Sequence, residues 1–170
     1  MDLKKQLRHV MNFPREGIDY IDITPVLQDL SAFEYIVNCF VNELKNVDFD
    51  LIVCLESRGF LFGAPVAYAL NKGLVPIRKY GKLPHDTIQE KYSLEYGDNV
   101  LEIHIDAIKK GQKVIIIDDI LATGGTVSAG IKLIERLGGV VSKILFLAEL
   151  EGLSSTDIRN TYDVFSIVTI

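Results

Sequence analysis

The sequence predicts an α/β fold with a mostly parallel central sheet flanked by helices. Two runs rich in Val, Ile and Leu, residues 51–55 and 114–117, have the composition of parallel strands that are covered on both faces. Segments with helical periodicity follow these runs, and this alternation is typical of a parallel sheet between helices. The 170 residues, of which 48% are hydrophobic, suffice for one core, so we expect a single domain over residues 1–170.

The elements are expected to alternate along most of the chain. Ser31 and Glu34 match a capping box, which predicts a helix over residues 31–44 with its apolar residues at helical spacing. A strand, a helix and a second strand then make a βαβ unit, and the same alternation returns in the last third of the chain. The predicted strands cover residues 51–55, 74–77, 114–118, 142–148 and 164–169, and the later helices cover residues 61–71 and 126–137.

In the middle of the chain this alternation stops. Residues 82–92 are polar, which predicts a loop, and residues 93–105 suggest a hairpin that turns at residues 97–99. Long insertions in compact domains are either solvated surface loops or covers of active sites. Because this insertion leaves the same sheet as a glycine-rich turn after residue 121, we favour an active-site cover.

Composition excludes several classes of function and location. The net charge of −5 provides no basic stripe for nucleic-acid phosphates, so no nucleic-acid partner is expected. No apolar stretch is long enough to cross a bilayer, and the charged residues 1–10 do not resemble a signal peptide. A cytoplasmic location without a membrane partner is therefore expected. Cys39 and Cys54 stand alone without metal-site spacing, so neither a disulfide nor a metal held by the protein is expected.

Residues 114–126 combine a buried strand, two carboxylates and a glycine turn that opens a helix. Asp118 and Asp119 are expected where the strand leaves the sheet, and acceptors there suit the vicinal hydroxyls of a ribose. The turn suits a phosphate because glycines let backbone N–H groups approach it, hydroxyls add donors and the helix offers its positive end. Simple helix capping, with both carboxylates facing solvent, is the alternative. This predicted phosphate turn consists of Ala122, Thr123, Gly124, Gly125 and Thr126.

A second anion site is predicted after the first strand of the βαβ unit. Ser57, Arg58 and Gly59 follow this strand and precede a helix, and a guanidinium fork is suited to phosphate oxygens. Arg78 and Lys82 add positive charge at the start of the insertion. The alternatives are a helix-entry loop with Arg58 on the surface, and a solvated loop whose basic residues serve solubility.

The string of residues 114–126 resembles the 5-phosphoribosyl-1-pyrophosphate (PRPP) motif of type I phosphoribosyltransferases. Residues 13–27 resemble the hood that covers the base in the adenine branch of this family, and residues 77–84 resemble its flexible catalytic loop. With the Glu-Ser-Arg-Gly string at 56–59 and the Ser-Leu-Glu-Tyr string at 93–96, the likeness covers nearly the whole chain. It implies the type I phosphoribosyltransferase fold, with a hood segment over residues 1–30 and a flexible loop and hairpin over residues 78–105.

The resemblance implies a reaction, a cofactor and an assembly. The adenine branch transfers the 5-phosphoribosyl group of PRPP to adenine and releases AMP and pyrophosphate, which is a reaction of purine salvage. Mg²⁺ accompanies the pyrophosphate group and is not assigned to protein ligands. The reaction makes PRPP, adenine and Mg²⁺ the expected partners. Because the family is usually dimeric, a second copy of the chain is expected as well.

The resemblance also implies roles for the residues that would contact PRPP. Carboxylates would hold the ribose hydroxyls, the phosphate turn would hold the 5-phosphate, and the basic residues would hold pyrophosphate. The ribose and 5-phosphate residues are Asp118, Asp119 and residues 122–126, and the pyrophosphate residues are Ser57, Arg58, Gly59, Arg78 and Lys82.

On the base side, the resemblance assigns Glu95 to the imidazole edge of the purine, where it would move a proton as N9 attacks. The catalytic set would thus be Glu95 with Arg58, Asp118 and Asp119. The purine would lie between Tyr20 and Ile120, with main-chain groups near Asp19 and Ile21 at its Watson–Crick edge.

The chain departs from the family pattern at three positions. Ile21 stands where the family commonly has Arg or Lys, and Tyr80 replaces a frequent loop arginine. Asp19 adds a carboxylate near the base edge, which would either accept from an exocyclic amine or point to solvent. These changes keep a 6-oxo purine (xanthine, hypoxanthine or guanine) as an alternative substrate. A PRPP-sensing regulator is the non-catalytic alternative, but such regulators carry an added DNA-binding domain, and few residues precede Phe13 here.

Overall fold

The computed structural model of the chain describes residues 1–94, 97–153 and 156–170. Its N-terminal part forms a two-stranded ribbon and two helices, and strands and helices then alternate. The elements are β1 (Arg8–Met11), β2 (Asp19–Asp22), α1 (Thr24–Gln28), α2 (Leu30–Leu44), β3 (Leu51–Leu55), α3 (Gly59–Ala69), β4 (Gly73–Lys79), β5 (Thr87–Leu94), β6 (Gly97–His104), β7 (Lys113–Leu121), α4 (Gly125–Arg136), β8 (Val140–Glu149), α5 (Thr156–Thr161) and β9 (Val164–Thr169).

The described part of the chain contains a seven-stranded sheet in the order β5-β6-β4-β3-β7-β8-β9. From β4 to β9 neighbouring strands are parallel, and β5 and β6 add an antiparallel edge. Alternate residues of β7 serve opposite faces, since Ile115 and Ile117 pack with α2 and α3, whereas Val114 and Ile116 pack with α4. The predicted class, a mostly parallel sheet flanked by helices, is confirmed.

Helix α2 begins one residue before the predicted start, and its cap differs from the predicted one. The Asp29 carboxylate accepts hydrogen bonds from the Ser31 and Ala32 N–H groups at 2.9 and 3.1 Å. The capping box of Ser31 and Glu34 is therefore wrong, because Asp29 supplies the acceptor that the first free N–H groups need.

The predicted loop is right for residues 82–86 but wrong for residues 87–92, and the predicted turn at residues 97–99 is also wrong. Thr87–Leu94 is a strand that pairs with β6, and residues 97–99 lie inside β6. The polar composition is misleading because Glu90 does not face open water: its carboxylate pairs with Lys132 and Arg136 of α4 at 3.1 and 3.3 Å. Helix α4 thus provides the partners that hold the β5–β6 hairpin against the domain.

The N-terminal ribbon of β1 and β2 is antiparallel, with Val10 opposite Tyr20. Ile21 and Ile23 are buried in the core that α2 and α3 share with the sheet, so the ribbon is anchored by apolar contacts. Within the described residues, no helix is both long and apolar enough to cross a membrane.

Helix α3 packs closely on β3 because Gly63 has no side chain. A Cβ atom at Gly63 would overlap the Sγ atom of Cys54, although it would lie 3.4 Å from the Cys54 Cβ and 3.6 Å from the Leu74 Cδ1. The sulfur atom is therefore the sole severe obstacle to a methyl group among these neighbours.

We expect Gly63→Ala to lower the free energy of unfolding by about 1–3 kcal/mol, because overpacking outweighs the better helix propensity of alanine. In the double variant Cys54→Ala/Gly63→Ala the sulfur is absent, so the Gly63 change should cost much less. Urea unfolding of the wild type, both single variants and the double variant measures this coupling. Additive effects of the two changes would contradict the proposed contact.

Candidate active site

Asp118 and Asp119 lie inside β7, and β7 runs on to Leu121. The strand was predicted to end at residue 118, but Asp118 and Ile120 remain paired with β8, opposite Phe146 and Ala148. Asp118 is 9% and Asp119 is 4% exposed. The alternative in which both face solvent is excluded.

The phosphate turn follows β7 directly and opens α4. Gly124 has a φ of +84°, a left-handed conformation that glycine adopts without strain, and α4 begins at the next residue. A cavity of about 70 Å³ lies here, with room for a group several times the size of a water molecule. Its lining includes Asp118, Ile120, Phe146 and the whole of residues 121–127. The structure thus brings Asp118 and the phosphate turn together around one concave site at a helix N-terminus.

Arg58 connects the β3–α3 turn to both the carboxylate pair and the N-terminal ribbon. Its Nε lies 2.6 Å from the Asp119 Oδ2, an ion-pair distance, although the N–H is not aligned for a hydrogen bond. Its Nη1 donates to the Tyr20 hydroxyl at 2.6 Å and to the Ile21 carbonyl at 3.2 Å. The interpretation of Arg58 as a surface residue of a plain helix-entry loop is therefore wrong.

Gly59 permits the close approach of this turn to β7. A Cβ atom at Gly59 would lie 2.7 Å from the Ile117 carbonyl oxygen and 2.9 Å from the Asp118 Oδ1. Both distances are shorter than real Cβ contacts, and the first partner is backbone that cannot move aside. The glycine therefore lets the predicted pyrophosphate turn, residues 57–59, lie directly against the predicted ribose carboxylate.

Burial dominates the electrostatics of the carboxylate pair. Loss of water raises the pKa of Asp118 well above its ordinary range, and the neighbouring Asp119 charge raises it further. Burial also raises the pKa of Asp119, but the Arg58 guanidinium opposes this rise. The pair therefore takes up protons more readily than exposed carboxylates do, and the ion pair with Arg58 favours the charged form of Asp119 over that of Asp118.

The basic end of β4 lies beside the β3–α3 turn. Arg78 Nε donates to the Glu56 Oε2 at 3.2 Å, the Lys79 N–H donates to the same oxygen at 2.7 Å, and Arg78 Nη1 donates to the Lys82 carbonyl at 3.4 Å. Burial alone would raise the pKa of Glu56, but these donors lower it overall. Arg78 is therefore held by Glu56, the residue before Ser57, whereas Lys82 is exposed.

On the base side, Tyr20 forms a platform with two ring contacts. Its ring meets the edge of Phe13 at 5.1 Å between centroids, and the Arg58 guanidinium carbon lies 5.1 Å from its centroid. The Asp19 carboxylate contacts the His9 Nδ1 at 2.7 Å, so the side chain that was expected at the base edge or in solvent has a partner on the ribbon. Ile120 is half-buried in the wall of the cavity. Glu95, the expected proton carrier, lies outside the described residues.

Tyr92 is a site residue that the sequence reasoning missed. Burial raises the pKa of Tyr92, the charges of Asp118 and Glu56 raise it further, and the Thr126 side chain opposes the rise, so the Tyr92 hydroxyl lies near these three residues. Tyr92 also packs on the core shared with α4. The signal for it was its position two residues after Glu90 on the inward face of β5, which only the correct strand assignment reveals.

A parallel sheet with paired carboxylates and a glycine turn at its carboxyl edge defines a class of enzymes that act on phosphorylated sugars. The sequence family described as phosphoribosyl transferase domain matches residues 32–168. The adenine phosphoribosyltransferase of Caldicellulosiruptor saccharolyticus is 61% identical over 168 residues, with 99% of this chain and 96% of that protein covered.

Solved structures of adenine phosphoribosyltransferases are similar to this chain over nearly its whole length. The crystal structure of adenine phosphoribosyltransferase from Thermoanaerobacter pseudethanolicus superposes with a TM-score of 0.95 at 49% identity, covering 99% of this chain and 98% of that one. The Saccharomyces cerevisiae enzyme, solved with adenine and an imino-altritol bisphosphate, has a TM-score of 0.89 at 40% identity, with 97% and 96% covered. The chain belongs to the phosphoribosyltransferase family and, within it, to the adenine phosphoribosyltransferases.

We expect Asp118→Asn to stabilise the protein at pH 7 by about 0.5–2 kcal/mol. Because folding raises the pKa of Asp118, its ionisation costs folding free energy at any pH above its ordinary value of 3.8, and asparagine removes that cost. Below pH 3.8 the carboxyl is protonated in both states, so the advantage should vanish there. Thermal unfolding of wild type and variant across pH 3–8 measures the difference.

Asp119→Asn is the matched control. It is equally conservative, but it removes the partner of Arg58 and leaves that cation uncompensated, so it should be less stable than Asp118→Asn. Equal stabilisation by both changes, or an Asp118→Asn advantage that does not depend on pH, would contradict the electrostatic account.

Proposed function

We propose that this site transfers the 5-phosphoribosyl group from PRPP to adenine, giving AMP and pyrophosphate. The observation that carries the proposal is the single concave site in which Asp118 lies against both the phosphate turn and the β3–α3 turn. The yeast relative was solved with adenine and a sugar-like bisphosphate, and a Trypanosoma brucei relative was solved with AMP, pyrophosphate and ribose-5-phosphate. These ligands have the chemistry for which the site is suited.

In this proposal the 5-phosphate binds the phosphate turn. Backbone N–H groups of residues 122–126, the hydroxyls of Thr123 and Thr126 and the N-terminus of α4 supply donors and partial positive charge. Asp118 and Asp119 accept hydrogen bonds from the ribose hydroxyls. Tyr92 lies beside Thr126 on the hairpin side of the phosphate turn.

The leaving group is proposed to lie between the β3–α3 turn and the basic end of β4. Ser57, Arg58 and the Gly59 backbone meet it from one side, and Arg78 and Lys82 from the other. The bond between the anomeric carbon and pyrophosphate breaks as the bond to purine N9 forms, so negative charge grows on the departing oxygens. Guanidinium and N–H donors that are already held in place stabilise that charge without reorganisation.

The residues of the site fit a Mg²⁺ that arrives with PRPP. Magnesium is typically held by one or two carboxylates together with substrate phosphates, and the Asp118–Asp119 pair would provide carboxylate oxygens. The Asp119 Oδ2 accepts no aligned hydrogen bond, although it lies 2.6 Å from the Arg58 Nε. When bound, the ion supplies charge neutralisation on the leaving pyrophosphate.

The purine is proposed to lie between the Tyr20 ring and Ile120, with main-chain groups of Asp19 and Ile21 at its Watson–Crick edge. Glu95 is proposed to hold a proton at its imidazole edge as N9 attacks. Pairing of the Asp19 carboxylate with His9 leaves main-chain recognition as the stronger source of specificity.

We also propose a cytoplasmic homodimer, on the likeness to the family. Exposed apolar side chains on α2 and α3, including Leu30, Leu61 and Tyr68, provide apolar surface that a second copy could cover. Sedimentation of the purified protein tests the assembly, and a monomer at micromolar concentration would contradict it.

The function is tested by incubating the protein with PRPP, Mg²⁺ and one of adenine, hypoxanthine, guanine or xanthine, with pyrophosphate release as the readout. Adenine should be consumed at least a hundredfold more efficiently than the 6-oxo purines, because a site built for an amino group leaves polar atoms unpaired against an oxo group. Preference for a 6-oxo purine would overturn the substrate assignment, and no turnover with any base would overturn the activity.

Arg58→Ala should lower kcat/KM for PRPP by about 100-fold or more, since it removes a charged donor from the leaving group and uncouples Tyr20 from Asp119. Steady-state kinetics at saturating adenine measures the loss. Lys113→Ala is the control, because this lysine lies at the opposite end of β7 and pairs with exposed Asp48. It should stay within about twofold of wild type. Equal losses for both variants would contradict the role of Arg58.

A further inference from the structure

Glu102 is a buried carboxylate to which the proposed reaction assigns no role. It lies on β6 and is 2% exposed, and burying a carboxylate is costly unless strong donors surround it. Buried Lys143, elsewhere in the described residues, is matched by the carboxylates of Glu43 and Asp163. The hydrogen-bond donors to Glu102 are of another kind, since they are backbone N–H groups of one segment and one side-chain hydroxyl.

The backbone donors come from consecutive residues just after β4. The Glu102 Oε1 accepts from the N–H groups of Lys82 and Leu83, both at 2.9 Å, and the other oxygen accepts from the Thr87 hydroxyl at 3.4 Å. The Gly81 N–H lies near enough to this carboxyl to lower its pKa as well. Gly81 has a φ of +80°, and a left-handed residue in such a segment turns successive N–H groups inward to form an anion-binding nest.

The nest connects Glu102 to the pyrophosphate side of the site through two successive hydrogen bonds of Arg78. The Lys82 carbonyl accepts from Arg78 Nη1, and Arg78 in turn donates to Glu56, which precedes Ser57 in the β3–α3 turn. Arg78 and Glu102 are also direct partners in the register of β4 and β6. The backbone of Lys82 is therefore fixed from one side by Glu102 and from the other by Arg78.

We propose that Glu102 is a positioning residue for the leaving-group half of the site: its carboxylate holds the backbone of residues 81–83 so that Lys82 and Arg78 are presented to the pyrophosphate. This inference rests on the proposed function. Glu102 does not touch the substrate, and its effect passes through the main chain of Lys82.

The positioning role of Glu102 depends on the negative charge of its carboxylate. Burial opposes ionisation, but the N–H donors of residues 81–83 outweigh it, and the pKa lies below its ordinary value of 4.5. A carboxylate accepts several N–H groups at once, with charge-assisted bonds about twice as strong as neutral ones. Glutamine at this position keeps a carbonyl oxygen for the nest but loses the charge. The Glu102→Gln variant therefore tests the effect of the charge while the shape of the side chain is kept.

The experiment compares Glu102→Gln and Glu102→Ala with wild type, measuring kcat and KM for PRPP and for adenine separately. Residues that orient the ligands of a metal site are typically worth about 10- to 100-fold, and we expect an effect of the same order here. Glutamine should lower kcat/KM for PRPP about tenfold and alanine by up to about 100-fold, with KM for adenine within twofold of wild type. Thr87→Val, which removes only the hydroxyl donor, is the control and should stay within about threefold.

Hydrogen exchange of the amides of residues 81–83 provides a readout that does not depend on turnover. In Glu102→Ala these amides should exchange at least tenfold faster, while amides of β3 and β7 remain protected. Unchanged amide exchange, or equal changes in KM for PRPP and adenine, would overturn the proposal. If Glu102→Ala does not fold, Glu102→Gln carries both measurements. Wild type that fails to make AMP would refute the proposed function, and the exchange result would still decide whether Glu102 anchors this segment.

Discussion

The arrangement of the site depends on the burial of two neighbouring carboxylates at the end of β7. Taking Asp118 and Asp119 out of water is costly, and the compensation comes from a cation on a different element. Arg58 reaches Asp119 because Gly59 lets its turn press against Asp118, and the same guanidinium binds Tyr20 of the ribbon. One set of charges thus holds the sheet edge, the β3–α3 turn and the ribbon in a common geometry.

Ion pairs also hold the basic residues around the site in place. Arg58 pairs with Asp119 and Arg78 with Glu56, so neither guanidinium samples its full range of rotamers. Holding such a side chain in advance removes part of the entropy that binding an anion otherwise costs. It also places positive charge before negative charge develops on a leaving group, which is the condition for electrostatic stabilisation of a transition state. In the sequence, the residues of these ion pairs look like ordinary surface charges. In the structure, their side chains are held in place by their partners.

Sequence patterns predicted strands that are rich in apolar residues and failed where polar groups are paired across elements. The strands at Leu51–Leu55 and Val164–Thr169 match the prediction residue for residue, because their apolar runs have no competing interpretation. Strand β5 was missed because Glu90 looks solvated until α4 brings Lys132 and Arg136 to it. The phosphate turn and both aspartates were located from local sequence. The link from Arg58 to Tyr20 spans 38 residues and follows from how the ribbon folds, which no local pattern contains.

Three carboxylates whose partners no local pattern reveals share one physical property, which connects the fold to the chemistry. Glu56, Glu90 and Glu102 are carboxylates on or beside strands whose donors come from another element. Such residues weaken a pattern-based prediction of a strand, because isolated charge disfavours burial. Where the fold nevertheless buries them, their partners must be fixed in space, and here those partners are the basic end of β4, helix α4 and the segment after β4. Local disagreement with the strand pattern therefore marks the places where this chain positions its charged groups.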